Sequence, residues 1–228
     1  MCQQLHQAMM NILKMPYYRN YHAMSGNDAK AGHEVAVDIE IAKASFTRLN
    51  VANYPSITKG LLKAWAQTKD DQELRRAAAN MPMGSYIAQP AGSQGFPDFL
   101  VRDFNDRYVS IECKSGKKAA APMWNDNIPM DDAIYVLTAE NLNETTVFLG
   151  RDVISPEERE LMIEQERATR ALNEEFVKRS KAIDKFKRGF VQKIRKQHFQ
   201  AGPASQTNYF IHKDRNLCES NVLEFAAK

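Results

Sequence analysis

Two short runs rich in β-forming residues constrain this chain more than any other feature: Phe96-Pro97-Asp98-Phe99-Leu100-Val101 and Tyr108-Val109-Ser110-Ile111-Glu112-Cys113-Lys114. Successive side chains on a strand point to opposite faces, so Glu112 and Lys114 share one face and Cys113 turns away. Pro97 stands at a strand start, where the missing N–H is tolerated. If the two runs pair as neighbours, Asp98 meets the face of Glu112 and Lys114. Two carboxylates and an ammonium then converge on a small volume. Hard oxygen ligands of this kind suit Mg²⁺, which keeps several waters and accepts phosphate oxygens. A lysine beside a metal-bound water can orient it or help deprotonate it, which is equipment for metal-assisted phosphodiester hydrolysis.

Pro97-Asp98, thirteen intervening residues and Glu112-Cys113-Lys114 together resemble the PD-(D/E)xK nuclease superfamily, and look most like a type II restriction endonuclease. The stretch Gln89-Pro90-Ala91-Gly92-Ser93-Gln94-Gly95 is similar to the loop leading into the first catalytic strand of several restriction enzymes. The likeness covers about residues 28–150. It implies an α/β fold of the restriction-endonuclease kind, with a mixed central β-sheet flanked by helices. It implies catalytic roles for Asp98, Glu112 and Lys114, and Mg²⁺ held by Asp98, Glu112 and the Cys113 carbonyl. Glu34, on an early helix, is either a further ligand or part of a solvated helix face. The implied reaction is sequence-specific hydrolysis of double-stranded DNA to 5′-phosphate ends by a homodimer, paired in function with a DNA methyltransferase. Rival readings are a repair, junction-resolving or phage nuclease of the same superfamily, and a catalytically inactive DNA-binding module on the same fold. The Gly-Ser-Gln loop, the long loop after the motif and the appended helix favour restriction, because a sequence reader needs such insertions.

A chain of 228 residues with 43% hydrophobic residues can bury one good-sized core, so we expect a single nuclease domain over 1–228 with its catalytic core at about 28–150. No apolar run approaches a membrane span, and the first residues lack the basic-then-apolar pattern of a signal peptide. Cys2, Cys113 and Cys218 are odd in number and far apart, with no zinc spacing, so a reducing, cytoplasmic setting is expected. Net charge is only +3, so any nucleic-acid contact must come from local patches.

Helical periodicity predicts helices over 1–15 (stripe Leu5, Met9, Ile12, Leu13), about 28–49 (stripe Val35, Ile39, Ala42, Phe46), 58–68 and 71–80. A short strand is expected at 85–88. Tyr17, Tyr18 and Tyr21 with Arg19 and His22 form either a packed loop or a nucleic-acid contact, and the packed loop is the simpler reading. Ser93 and Gln94 can donate to phosphate or base edges, or form an ordinary turn. Lys117 and Lys118 follow the catalytic strand, where DNA phosphates would lie. Residues 119–132 read as a long loop, 133–137 as a buried central strand and 145–149 as a further strand.

Ser155-Pro156-Glu157-Glu158 is a strong helix start, and helical spacing continues to about 200. Along this long amphipathic helix, 157–175 carries seven Glu against three Arg, and 178–198 carries nine Lys or Arg against Asp184 alone. That excess exceeds what a macrodipole needs. It marks either DNA contact, with Lys185 and Arg188 as candidates, or pairing with a second subunit. The tail is expected to open with a strand at 208–211, followed by a loop over 212–216. In that loop Lys213 and Arg215 could read bases or simply form a surface turn.

Overall fold

The computed structural model describes residues 2–17, 32–68, 71–92, 95–116, 118, 121–125, 128–189 and 197–228. Its centre is a six-stranded mixed sheet flanked by helices. The strands are β1 (Thr47–Leu49), β2 (Ser85–Ala88), β3 (Phe99–Arg102), β4 (Tyr108–Gly116), β6 (Ile134–Ala139) and β7 (Glu144–Leu149), in the spatial order β1-β2-β3-β4-β6-β7. β1 runs parallel to β2 and β4 parallel to β6; the other neighbours are antiparallel. A two-residue strand β5 (Trp124–Asn125) pairs separately with β8 (Gln197–His198).

Strand alternation sorts the core into two sides. Tyr86, Phe99, Val101, Ile111, Cys113, Val136 and Val147 pack with helices α1 (Gln3–Ile12), α2 (Gly32–Lys43) and α7 (Arg215–Ala227). Alternate residues face the other way. Ile87, Leu100 and Tyr108 meet α3 (Lys59–Thr68) and α4 (Asp71–Ala77), while Tyr135, Leu137 and Phe148 meet Trp124, Phe96 and Phe210. Every residue of β6 is buried, as its continuous apolar run requires between two covered faces.

Several boundaries differ from the sequence expectation. α2 ends at Lys43, and Phe46 is buried beyond it rather than on its stripe; the chain turns at Ser45 (φ 72) into β1. The buried face of α2 is Ala36, Val37 and Ile41, with Val35 exposed. The long helix α5 (Pro156–Ile183) stops well short of residue 200. The cause is local: the Asp184 carboxylate accepts the backbone N–H groups of Arg188 and Gly189, and Lys187 and Gly189 adopt positive φ. Such side-chain capture competes with helix hydrogen bonds. Lys185 and Arg188 therefore lie in an exposed turn after the helix. No strand forms at 208–211. Asn208 instead accepts the Phe210 N–H on its side chain and the His212 N–H on its carbonyl, closing a turn between the short helix α6 (Ala204–Thr207) and α7. α7 itself was not expected; Val222 and Ala226 bury it against α1 and β7.

Candidate active site

The hairpin β3–β4 sets the site. Its register places Phe99 opposite Ile111, so Asp98 comes off the start of β3 beside Glu112. The Asp98 carboxylate accepts the Cys113 backbone N–H at 2.7 Å. Lys114 Nζ donates to Glu112 Oε1 at 2.8 Å. The Cys113 side chain is buried in the core on the opposite face, and burial pushes its thiol well above the ordinary value, as the strand alternation demands. The structure thus brings together Asp98, Glu112 and Lys114, the residues singled out by the sequence.

Glu34 joins them from the first turn of α2, where Gln89 Nε2 donates to its Oε2 at 2.6 Å. Burial raises the Glu34 carboxyl, and the Glu112 charge adds to the rise against the Gln89 hydrogen bond. Sequence reasoning did not assign Gln89 a role. It sits just after β2 at φ 49 and donates its backbone N–H to the Asp98 backbone carbonyl at 2.6 Å, so it links the Glu34 carboxylate to the main chain of Asp98. A Cβ on Gly95 would fall 2.4 Å from the Ala91 carbonyl oxygen, so only glycine lets the chain pass this close to Ala91 ahead of Asp98.

Crowding of like charges marks the site. Burial, then the charges of Glu112 and Glu34, push the Asp98 carboxyl from 3.8 up to about 8, against the opposing Cys113 N–H and Lys114. Glu112 Oε2 is buried without a hydrogen-bond partner. A buried carboxylate oxygen with nothing to accept from is costly, and a divalent cation would satisfy it while taking the place of the proton that Asp98 holds. Among the described residues no group of three or more His, Cys, Asp or Glu side chains forms a metal-holding cluster. Asp98, Glu112 and the Cys113 carbonyl would leave the rest of the shell to water and phosphate, a division that suits Mg²⁺.

The site wall comes from the segment expected to be a loop. Trp124 is buried, packs edge-on against Tyr135 at 4.9 Å, and lies with its ring centroid 5.8 Å from Lys114 Nζ. β8 pairs with it, and His198 of β8 contacts Glu166 of α5 at 3.0 Å. Arg159 of α5 forms an ion pair with Asp131. The helix is thereby tied to the wall of the site. A two-residue strand leaves too little periodicity to be found in sequence, though a Trp inside a polar loop is the one signal available.

The remaining sequence candidates are scattered. Lys118 is exposed past the end of β4, and Lys213 is exposed before α7. Arg215 is engaged inside the fold, donating to Glu219 at 2.8 Å, Glu144 at 2.9 Å and the Phe210 carbonyl at 3.2 Å. Ser93, Gln94, Lys117 and the cluster Tyr18, Arg19, Tyr21, His22 lie outside the described residues, as do 190–196.

The raised Asp98 carboxyl fixes a pH response. Between 3.8 and about 8 the folded chain holds a proton that the unfolded chain has released, so stability of the metal-free protein falls as pH rises through that window. Melting temperatures in chelator should therefore decline with pH more steeply for the native chain than for Asp98→Asn. Equal slopes would remove Asp98 from the acidic cluster. Because a cation must displace that proton, apparent Mg²⁺ affinity should strengthen as pH rises toward the same value.

No family model matches the chain, and neither the curated proteins nor the solved structures contain a match to it.

Proposed function

We propose that this chain is a Mg²⁺-dependent endodeoxyribonuclease of the restriction-endonuclease kind, hydrolysing phosphodiesters of double-stranded DNA to 5′-phosphate ends. The observation that carries this reading is the meeting of Asp98, Glu112 and Lys114 at the end of one hairpin, with Glu112 Oε2 buried and unpartnered. Asp98, Glu112 and the Cys113 carbonyl would hold Mg²⁺, which when bound activates water and stabilises charge on the phosphate and the leaving oxygen.

The chain's own residues do the rest. The Cys113 N–H fixes one oxygen of Asp98, and the register of β3 on β4 fixes its distance from Glu112. Glu112 holds the Lys114 ammonium in place through one of its three N–H bonds. The other two N–H bonds can orient an attacking water and a non-bridging phosphate oxygen, lowering the cost of charge developing there. The buried Trp124 ring, with its centroid 5.8 Å from Lys114 Nζ, gives the ammonium a cation–π contact on that side. Exposed Lys118, at the end of the catalytic strand, is placed to meet a neighbouring phosphate. A restriction role would pair the enzyme with a methyltransferase protecting the same site. Among the described residues no helix is long and apolar enough to cross a membrane.

Unmethylated phage DNA incubated with the protein and Mg²⁺ should yield discrete bands on a gel. Lys114→Ala should slow their appearance by about a hundredfold or more, the usual worth of a positioned proton-transfer group. A smear would indicate a nonspecific or structure-selective nuclease. Intact DNA with salt-sensitive binding would leave a DNA-binding module without catalysis.

A further inference from the structure

We propose that α5 pairs antiparallel with α5 of a second copy of this chain, about a two-fold axis passing at Leu172. The helix runs 28 residues and buries none of them. Leu161, Leu172, Phe176 and Ile183 are 67%, 69%, 48% and 79% exposed. With Ala168 they form one stripe at helical spacing. An exposed apolar stripe of this length marks an interaction surface.

The spacing identifies the occupant. From Leu161 the steps to Ala168, Leu172, Phe176 and Ile183 are seven, four, four and seven residues, a pattern that reads identically in both directions. A two-fold axis requires each side chain at position i to meet one at position j and the reverse. With Leu172 on the axis, Leu161 meets Ile183 and the small Ala168 meets the large Phe176. Large-on-small pairing of this kind fills a helix–helix seam.

Charge selects the same direction. Between 157 and 171 the helix carries five Glu against three Arg. From 173 to 188, which includes the turn after it, the chain carries six Lys or Arg against Glu174, Glu175 and Asp184. Antiparallel pairing sets the acidic half of each copy against the basic half of the other; parallel pairing would set like against like. The flank of α5 that contacts its own chain lies elsewhere on the helix, through Arg159 to Asp131 and Glu166 to His198. Among the described residues, the seam is exposed.

Sedimentation velocity on the full chain, without DNA or Mg²⁺, should show a dimer. Leu172→Glu, a change at an exposed position that leaves the circular dichroism spectrum unchanged, should weaken it by at least about tenfold in dissociation constant. Under mild oxidation Leu172→Cys should cross-link to itself above the background of the native cysteines. Leu161→Cys should cross-link only when mixed with Ile183→Cys. Monomer at all concentrations, a dimer indifferent to Leu172→Glu, or self-cross-linking of Leu161→Cys would each overturn the proposal. These readouts need no cleavage, so the pairing stands or fails independently of the nuclease reading.

Discussion

Glu112→Gln is expected to abolish Mg²⁺-dependent DNA cleavage, by about a thousandfold or more, on the scale seen when one group stabilising transition-state charge is removed. The substitution nearly preserves shape, so the hairpin that carries it should be undisturbed. What changes is charge. One carboxylate oxygen accepts from Lys114, and the other is buried with no hydrogen-bond partner, where the proposed cation would satisfy it. The amide cannot supply two anionic oxygens to that cation. The same change relieves the acidic cluster, because the Glu112 charge is a main cause, after burial, of the raised Asp98 carboxyl. That relief offsets the loss of the Lys114 ion pair, so metal-free Glu112→Gln should melt close to the native chain while losing activity. A general fold defect would move both together. Cleavage that survives the substitution would place the metal elsewhere and sink the assignment of Glu112.

That a sequence pattern could find this cluster follows from the physics of a hairpin. Alternation alone puts Glu112 and Lys114 on one face and Cys113 on the other, and antiparallel pairing alone brings Asp98 back to them. These constraints are local, spanning residues 98–114, so they are legible without knowledge of the fold. Gln89 was not legible in the same way. Its link to Glu34 crosses fifty-five positions and depends on a backbone at positive φ, which a glutamine does not advertise. The end of α5 was missed because apolar spacing continues past Ile183, while the stop comes from Asp184 capturing N–H groups further along. The strand expected at 208–211 fell to similar chemistry, with Asn208 closing a turn inside an apolar run. α7 carries few large apolar residues and docks on a surface assembled from α1 and β7, so no periodicity in its own segment announces it.

Asp103→Ala is expected to cost about 3–5 kcal/mol of folding stability, the range for breaking a buried ion pair by removing one partner. Asp103 is fully buried at the turn between β3 and β4. Its Oδ1 accepts the backbone N–H groups of Asn105 and Arg107 at 2.8 and 2.9 Å, and its Oδ2 accepts Arg107 Nε at 2.8 Å. Arg107 carries the connection onward, donating to the Phe225 carbonyl at 2.9 Å with its guanidinium over the Phe225 ring. One carboxylate therefore shapes the turn between β3 and β4 and, through Arg107, anchors the last turn of α7. Removing it leaves the turn N–H groups unsatisfied and the Arg107 charge half-buried without its counter-ion. Because the lost interactions lie at the far end of the hairpin from Lys114, the residual folded protein should keep its cleavage rate per active molecule at low temperature. Urea midpoints measured beside single-turnover rates separate the two quantities. A variant that melts like the native chain would show that the turn is held by its backbone alone. A variant that is folded but inactive would mean that the register of β3 on β4, and with it the meeting of Asp98 and Glu112, is set at this turn.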